Sequence, residues 1–180
     1  MIDLDRLAQP MIGENCRAEL FEERHREALK AACAEDKDVW AIYANNFGPD
    51  GFDASIDYYR SSKRNLTFVL FDGDELAGMS SYLGIDASRQ TLEIGGTYYR
   101  PHLRGTGFNR RIKDMMLGRA FDCGFRRVEF RVDRRNARSQ AAMTKLGAVR
   151  EGVLRADRIT WNGHIRDTVL FAILKDEWPI

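Results

Sequence analysis

Cysteine is scarce in this 180-residue chain, and Cys16, Cys33 and Cys123 stand far apart with no C-x-x-C pair. That pattern argues against a disulfide framework and against a zinc knuckle. His25, His102 and His164 are isolated and form no ligand spacing, so no metal is expected. No apolar run approaches the roughly 20 residues that cross a bilayer. The opening Met1-Ile2-Asp3-Leu4-Asp5 lacks the basic and apolar regions of a secretory leader. A reducing, cytoplasmic compartment and no membrane partner are the resulting expectations. Charge of one sign is also missing: the net charge is +1. A whole-molecule electrostatic nucleic-acid binder is therefore not expected. The local run Arg126, Arg127, Arg131, Arg134, Arg135 and Arg138 is interrupted by Glu129 and Asp133, and no nucleic-acid motif accompanies it. With no repeat, low-complexity tract or linker, residues 1–180 read as one domain with a substantial core.

Hydrophobic residues make up 44% and charged residues 31%, an ordinary balance for a globular protein. Residues 1–14 read as an irregular lead-in broken by Pro10 and Gly13. A short strand is expected over Cys16–Phe21, a helix over Glu22–Ala34, and two further short helices around Val39–Tyr43 and Asp53–Ser61. The aromatics of this region read first as core and second as the lining of an acceptor pocket. Strands follow at Asn65–Phe71, Leu76–Ile85 and Thr91–Tyr99, the first pair joined at Asp72-Gly73. Alternation places Leu92, Ile94 and Tyr98 on one face of the third strand and Glu93, Thr97 and Tyr99 on the other. Gly95-Gly96 marks a possible bulge that would break this parity. A helix over Phe108–Cys123, a strand over Phe125–Val132 and a helix from Asn136 to Leu146 come next. Val149–Trp161 and His164–Leu174 close the order as a hairpin across Asn162-Gly163, read as a type I′ turn. A meander joined to helical crossovers predicts an α+β fold. Its sheet should be mixed and mostly antiparallel, of about six or seven strands, with helices on both faces.

The informative stretch is Arg104-Gly105-Thr106-Gly107-Phe108-Asn109, lying between a strand and a helix. A glycine turn at a helix start aims backbone N–H groups at an anion and adds the partial positive charge of the helix terminus. Arg104, Arg110, Arg111 and Lys113 crowd that terminus, where cations are unfavourable unless an anion is bound. The G-x-x-x-x-G-K-[ST] spacing is absent, so this is not a Walker loop.

Three groups of residues carry a resemblance. Arg104 and Gly107 fit an Arg/Gln-x-x-Gly-x-Gly/Ala pattern that departs only at Asn109. Asn136-Ala137-Arg138-Ser139 is followed by Lys145-Leu146-Gly147-Ala148. Glu151-Gly152, Arg166-Asp167 and Glu177-Trp178 complete the set. From Glu93 to Trp178 the chain resembles the GNAT superfamily of N-acetyltransferases. It looks most like the branch of ribosomal-protein N-terminal acetyltransferases, where Asn at the position of Asn109 is common.

The resemblance implies acetyl-CoA as cosubstrate and a splayed central strand pair. The backbone of Thr97, Tyr98 and Tyr99 would pair with the pantetheine arm. The N–H groups of Arg104, Gly105, Thr106, Gly107, Phe108 and Asn109 would hold the pyrophosphate. Asn136 would bind the arm near the thioester, and Arg110, Arg138 and Lys145 would meet phosphates. Residues 22–63 become the acceptor side, 65–148 the acyl-CoA core and 149–174 the closing hairpin. The acceptor is a primary amine, either a protein N-terminus or a small molecule, and a homodimer is possible. Many relatives place a Tyr acid seven residues after the Asn; here Met143 stands there. The related branch uses a Ser three residues after the Asn, which makes Ser139 the candidate acid. Glu93 is the candidate base. A longer acyl-CoA such as succinyl-CoA, or a non-catalytic acyl-CoA-binding module, are the alternatives.

Overall fold

The computed structural model describes residues 2–178. Eight strands form one sheet in the order β1-β2-β3-β4-β5-β6-β8-β7. They are β1 (Met11–Gly13), β2 (Cys16–Leu20), β3 (Leu66–Asp72), β4 (Glu75–Asp86), β5 (Thr91–Tyr99), β6 (Arg127–Asp133), β7 (Val149–Ile159) and β8 (Ile165–Leu174). Neighbours pair antiparallel except β5 and β6, which run parallel. The helices are α1 (Leu4–Leu7), α2 (Arg26–Cys33), α3 (Phe52–Ser61), α4 (Phe108–Asp122) and α5 (Ala137–Leu146). The α+β class, the mixed sheet and the helices on both faces agree with expectation.

Each face of the sheet has its own core. Phe108, Ile112, Met116 and Ala120 of α4 recur at helical spacing and bury against one face, with Met143 and Leu146 of α5. Leu29 and Cys33 of α2, Ile56 and Tyr59 of α3, and Trp40 and Phe47 between them fill the other. Trp40 is held there by its Nε1–H, which donates to the Cys33 carbonyl at 3.1 Å.

Several expectations need correction. The lead-in is ordered: Asp3 accepts the Arg6 N–H and caps α1, and Met11–Gly13 adds an edge strand to β2. That edge strand takes the sheet to eight strands rather than six or seven. The helix expected from Glu22 begins as a 3-10 turn at Glu23–His25 before α2, and the segment Asp38–Ile42 is 3-10 throughout. Asp36 accepts the Val39 N–H at the start of that segment. The last hairpin closes on the Thr160–His164 pair, with Gly163 N–H donating to the Thr160 carbonyl and Gly163 alone at positive φ. This is a three-residue loop ending in a left-handed glycine, not a type I′ turn.

The correction that matters most concerns β5. Ser81 pairs with Gly95, but Met79 pairs with Tyr98, so β5 carries one extra residue there. Gly96 sits in the left-handed region at φ 57°. One inserted residue reverses every side chain beyond it. Leu92 and Ile94 therefore face α4, whereas Tyr98 faces Trp40 on the opposite side and Tyr99 returns to the α4 side. The predicted grouping of Tyr98 with Leu92 and Ile94 fails for this reason.

Candidate active site

The parallel pairing of β5 with β6 lasts only from Thr91–Glu93 against Arg127–Glu129. Beyond Glu93 the two strands diverge, while β4 still pairs the outer edge of β5 and β8 pairs the full length of β6. The wedge between them is a cleft of about 170 Å³ lined by Gly95–Thr97, Phe130–Asp133 and side chains from both faces. The inner backbone edge of β5 is left open there, which is the splay the sequence led us to expect.

The glycine turn borders one end. The N–H groups of Arg104, Thr106 and Arg110 bond to the carbonyls of Pro101, Leu103 and Gly107, and that of Phe108 bonds to Thr106 Oγ1. Among the described residues those of Gly105, Gly107 and Asn109 have no partner, so alternate donors of the turn are free. Gly105 and Gly107 have φ of 83° and 85°, which only glycine adopts without strain. The cations behave differently from expectation. Arg104 pairs with Asp36 at 2.6 Å, Arg110 with Asp114 at 2.8 Å and Arg111 with Asp72 at 3.3 Å. Lys113 is not at the surface at all. The argument from unbalanced cations therefore falls, and the free backbone donors carry the case for an anion. Arg138 and Lys145 are exposed, with no ion pair among the described residues.

Asn136 follows β6 and lines the cleft, and its Oδ1 accepts the Ser139 N–H at 3.0 Å as the cap of α5. Ser139 and Met143 line the same wall. Thr97 lies at the bulge, where its carbonyl accepts the Tyr43 hydroxyl at 2.6 Å. The Tyr98 side chain is buried and donates to the Ala32 carbonyl at 2.8 Å, and its backbone is paired with Met79 of β4. The Tyr99 ring packs on Phe108 at 5.8 Å.

Glu93 reaches back over the bulge: a Cβ on Gly95 would lie 2.6 Å from its Oε1. A Cβ on Gly96 would meet the Tyr59 ring at 2.8 Å. The two glycines thus leave room for a carboxylate and a phenol directly above the diverging strand. Burial raises the Glu93 carboxyl pKa, opposed by Arg158, Arg131 and Arg166. Arg131 Nε stands 3.7 Å from Glu93 Oε2.

Sequence reasoning missed Lys113 as a cleft residue. It is 3% exposed, and its Nζ donates to Thr97 Oγ1 at 2.7 Å. Desolvation lowers its ammonium to about 7, with Glu93 opposing the shift. The signal was present, because Lys113 shares a helical face with Met116, Leu117 and Ala120. Tyr43, Tyr59, Arg158 and Arg166 also line the cleft; the sequence pointed to the two tyrosines only as members of an aromatic group, to Arg166 only through the resemblance, and to Arg158 not at all. They come from elements distant in sequence, and the hairpin tip joins them. Trp161 Nε1 donates to the Trp40 carbonyl at 2.8 Å, and Asn162 Nδ2 to that of Ala41 at 3.3 Å.

Among the described residues no helix is long and apolar enough to cross a membrane, and no group of His, Cys, Asp and Glu is placed to hold a metal.

Comparison with known proteins identifies the family of the fold that holds this cleft. The model of the acetyltransferase (GNAT) domain matches residues 18–149. A crystal structure described as a probable GNAT-family acetyltransferase from Chromobacterium violaceum ATCC 12472 superposes with a TM-score of 0.88 at 28% identity, covering 95% of this chain and 88% of that one. A structure assigned as an acetyltransferase from T. thermophilus gives 0.85 at 31% identity, covering 94% and 91%. The ribosomal-protein-S5-alanine acetyltransferase from Vibrio fischeri gives 0.74 at 18% identity, covering 95% and 99%. At that identity the likeness shows the fold and not the ribosomal branch. No curated protein matches the sequence. With the domain model spanning most of the chain and the fold shared at full length, the chain belongs to the GNAT family and is an acetyl-CoA-dependent acyltransferase.

Proposed function

We propose that the protein transfers an acetyl group from acetyl-CoA to a primary amine by direct attack within a ternary complex. The observation that carries this reading is the position of the Glu93 carboxylate over the Gly95–Gly96 bulge, at the mouth of the splayed strand pair. A thioester bound along the open edge of β5 would present its carbonyl beside that carboxylate.

The roles follow from the chemistry. The free N–H groups of Gly105, Gly107 and Asn109 would hold the pyrophosphate, aided by Arg138 and Lys145. The edge of β5 over Thr97 to Tyr99 would pair with the pantetheine arm beside the Tyr43 hydroxyl that bonds the Thr97 carbonyl, and Asn136 would contact the arm near the thioester. An amine attacks only when neutral, so Glu93 takes its proton as the N–C bond forms and the C–S bond breaks. A backbone N–H of the splayed strand stabilises the oxyanion. Ser139 passes a proton to the departing CoA thiolate and is reprotonated from solvent as Glu93 releases the amine proton, so the products are an N-acetyl amide and CoA thiol and both side chains are restored. The acceptor is a protein N-terminus, as in the ribosomal branch, or a small amine. A homodimer would cover the exposed Ile159 and Ile165 beside the closing hairpin.

Initial-velocity kinetics test the reading. CoA thiol release should require an amine, and double-reciprocal lines at several amine concentrations should intersect. Parallel lines would point instead to an acetyl-enzyme intermediate and contradict direct attack.

A further inference from the structure

The end of the cleft away from the glycine turn contains a buried guanidinium, Arg166, that makes no ion pair of its own among the described residues, although Asp133, Glu93 and Asp157 lie within its field. Arg166 projects from β8 into the lining of the cleft and is 5% exposed. Its Nη2 donates to the Arg131 carbonyl at 2.8 Å, but its Nε has no hydrogen-bond partner. The surrounding carboxylates are committed elsewhere. Glu93 and Asp157 pair with Arg131 at 3.7 and 3.8 Å, beside Glu129 at 3.3 Å. Asp157 also meets Arg158 at 3.4 Å, and Asp133 is held by Arg135 at 2.8 Å. Arg158 lines the same cleft and repels Arg166. A desolvated guanidinium with an unmet donor, beside the like-charged Arg158 that is its cross-strand partner on β7, is a strained arrangement for the free protein. A carboxylate entering the cavity would relieve it, because guanidinium and carboxylate match as donor and acceptor pairs.

We propose that the acetyl acceptor is a small amino carboxylate, with its carboxylate held by Arg166 and Arg158 and its amine directed to Glu93. The proposal rests on the transferase reading and names its substrate class. It accounts for both signs of charge at one end of the cleft: the carboxylate of Glu93 serves the amine and the two guanidiniums serve the acid. The bonding of the hairpin tip to Trp40 and Ala41 fits a small acceptor, since Ile42 to Asn45, the next residues along, line the cleft. The same end disfavours a polyamine, whose further ammonium groups would meet Arg158 and Arg166.

The test is acetyl transfer to alanine, β-alanine and glutamate beside alaninamide, β-alaninamide, spermidine and a neutral tripeptide. At least one free acid should exceed its own amide in kcat/KM by about 30-fold or more, the scale expected when a buried charged partner is lost. The amides carry the more readily deprotonated amines, so amine basicity cannot produce that preference. In Arg158→Gln the ratio should fall toward one through a rise in KM for the acid. Arg166→Met should do the same where it remains folded, and the wild-type ratio decides without either variant. Amides, spermidine or the tripeptide acetylated as well as the acids would overturn the carboxylate subsite and leave the transferase reading standing. Acetyl-CoA bound with no amine turned over would overturn both.

Discussion

The two ends of the cleft present charge by different means. At the glycine turn the donors are backbone N–H groups of Gly105, Gly107 and Asn109, while Arg104 and Arg110 are occupied by Asp36 and Asp114. At the far end the donors and acceptors are buried side chains, with Glu93, Arg131, Arg158 and Arg166 crowded around the β5 bulge. Backbone donors are fixed by the fold and suit the pyrophosphate that any CoA thioester carries. Buried side chains change by single substitutions and suit a partner that differs from one relative to the next. The difference teaches where to look for specificity, and it can be broken at four points.

The bulge joins the two ends, so it should be the most sensitive position. Gly96→Val meets both a φ of 57° and the Tyr59 ring. Turnover should fall at least about 1,000-fold, since small misplacements at a reacting centre already cost about 100-fold. Retention of wild-type kcat in a steady-state assay would show that the bulge does not set the geometry. Glu93→Gln should lower kcat by roughly 100-fold or more, the ordinary scale for a general base. Burial raises the pKa of this carboxyl above its usual range. The wild-type rate should therefore climb with pH through a limb above that range, and the variant should lose this limb. A superimposable profile would remove Glu93 from proton transfer.

Ser139→Ala tests the other wall of the cleft. A drop in kcat of about 10-fold with acetyl-CoA affinity unchanged is expected if its hydroxyl protonates the leaving thiolate. Unchanged kcat would leave Ser139 as a residue of the first turn of α5 whose N–H is capped by Asn136. The smallest effect concerns stability. The Lys113 ammonium is lowered from 10.5 to about 7 by burial. Its folded pKa lies below its unfolded one, so the wild type loses stability as pH falls from about 10.5 through about 7. Lys113→Met should melt higher than wild type near pH 7, by about 2–4 °C per kcal/mol of relief. That gap should close toward pH 10, and a gap independent of pH would show that burial of charge is not its source.

Much of the fold was legible because its signals are local. The strand alternation of β6, the helix caps at Asn136 and Gly147, and the glycine turn each declare themselves within a few residues. The edge strand β1 was hidden in three residues beside Pro10 and Gly13. The parity of β5 was hidden because the sequence Gly95-Gly96 permits a bulge without requiring one. At the site the strand, glycine turn and helix start were readable for the same local reason. The far end was not, because Tyr43, Tyr59, Arg158 and Arg166 come from separate segments that converge only when the chain between β2 and β3 and the β7–β8 hairpin meet at the cleft. Lys113 was misread as a surface cation of the helix start, although its helical spacing placed it with Met116 and Ala120.

The central claim is that the free backbone donors of the turn and the open edge of β5 bind acetyl-CoA. A thermal-shift titration with acetyl-CoA, and with ATP as a pyrophosphate control, tests it most directly. At 100 times its Kd a ligand adds about 2.7 kcal/mol, or roughly 5–11 °C for a domain of this size. The account predicts such a shift with acetyl-CoA and none with ATP, because only the former has a pantetheine arm to pair with β5. No shift with acetyl-CoA at millimolar concentration, or an equal shift with ATP, would contradict it.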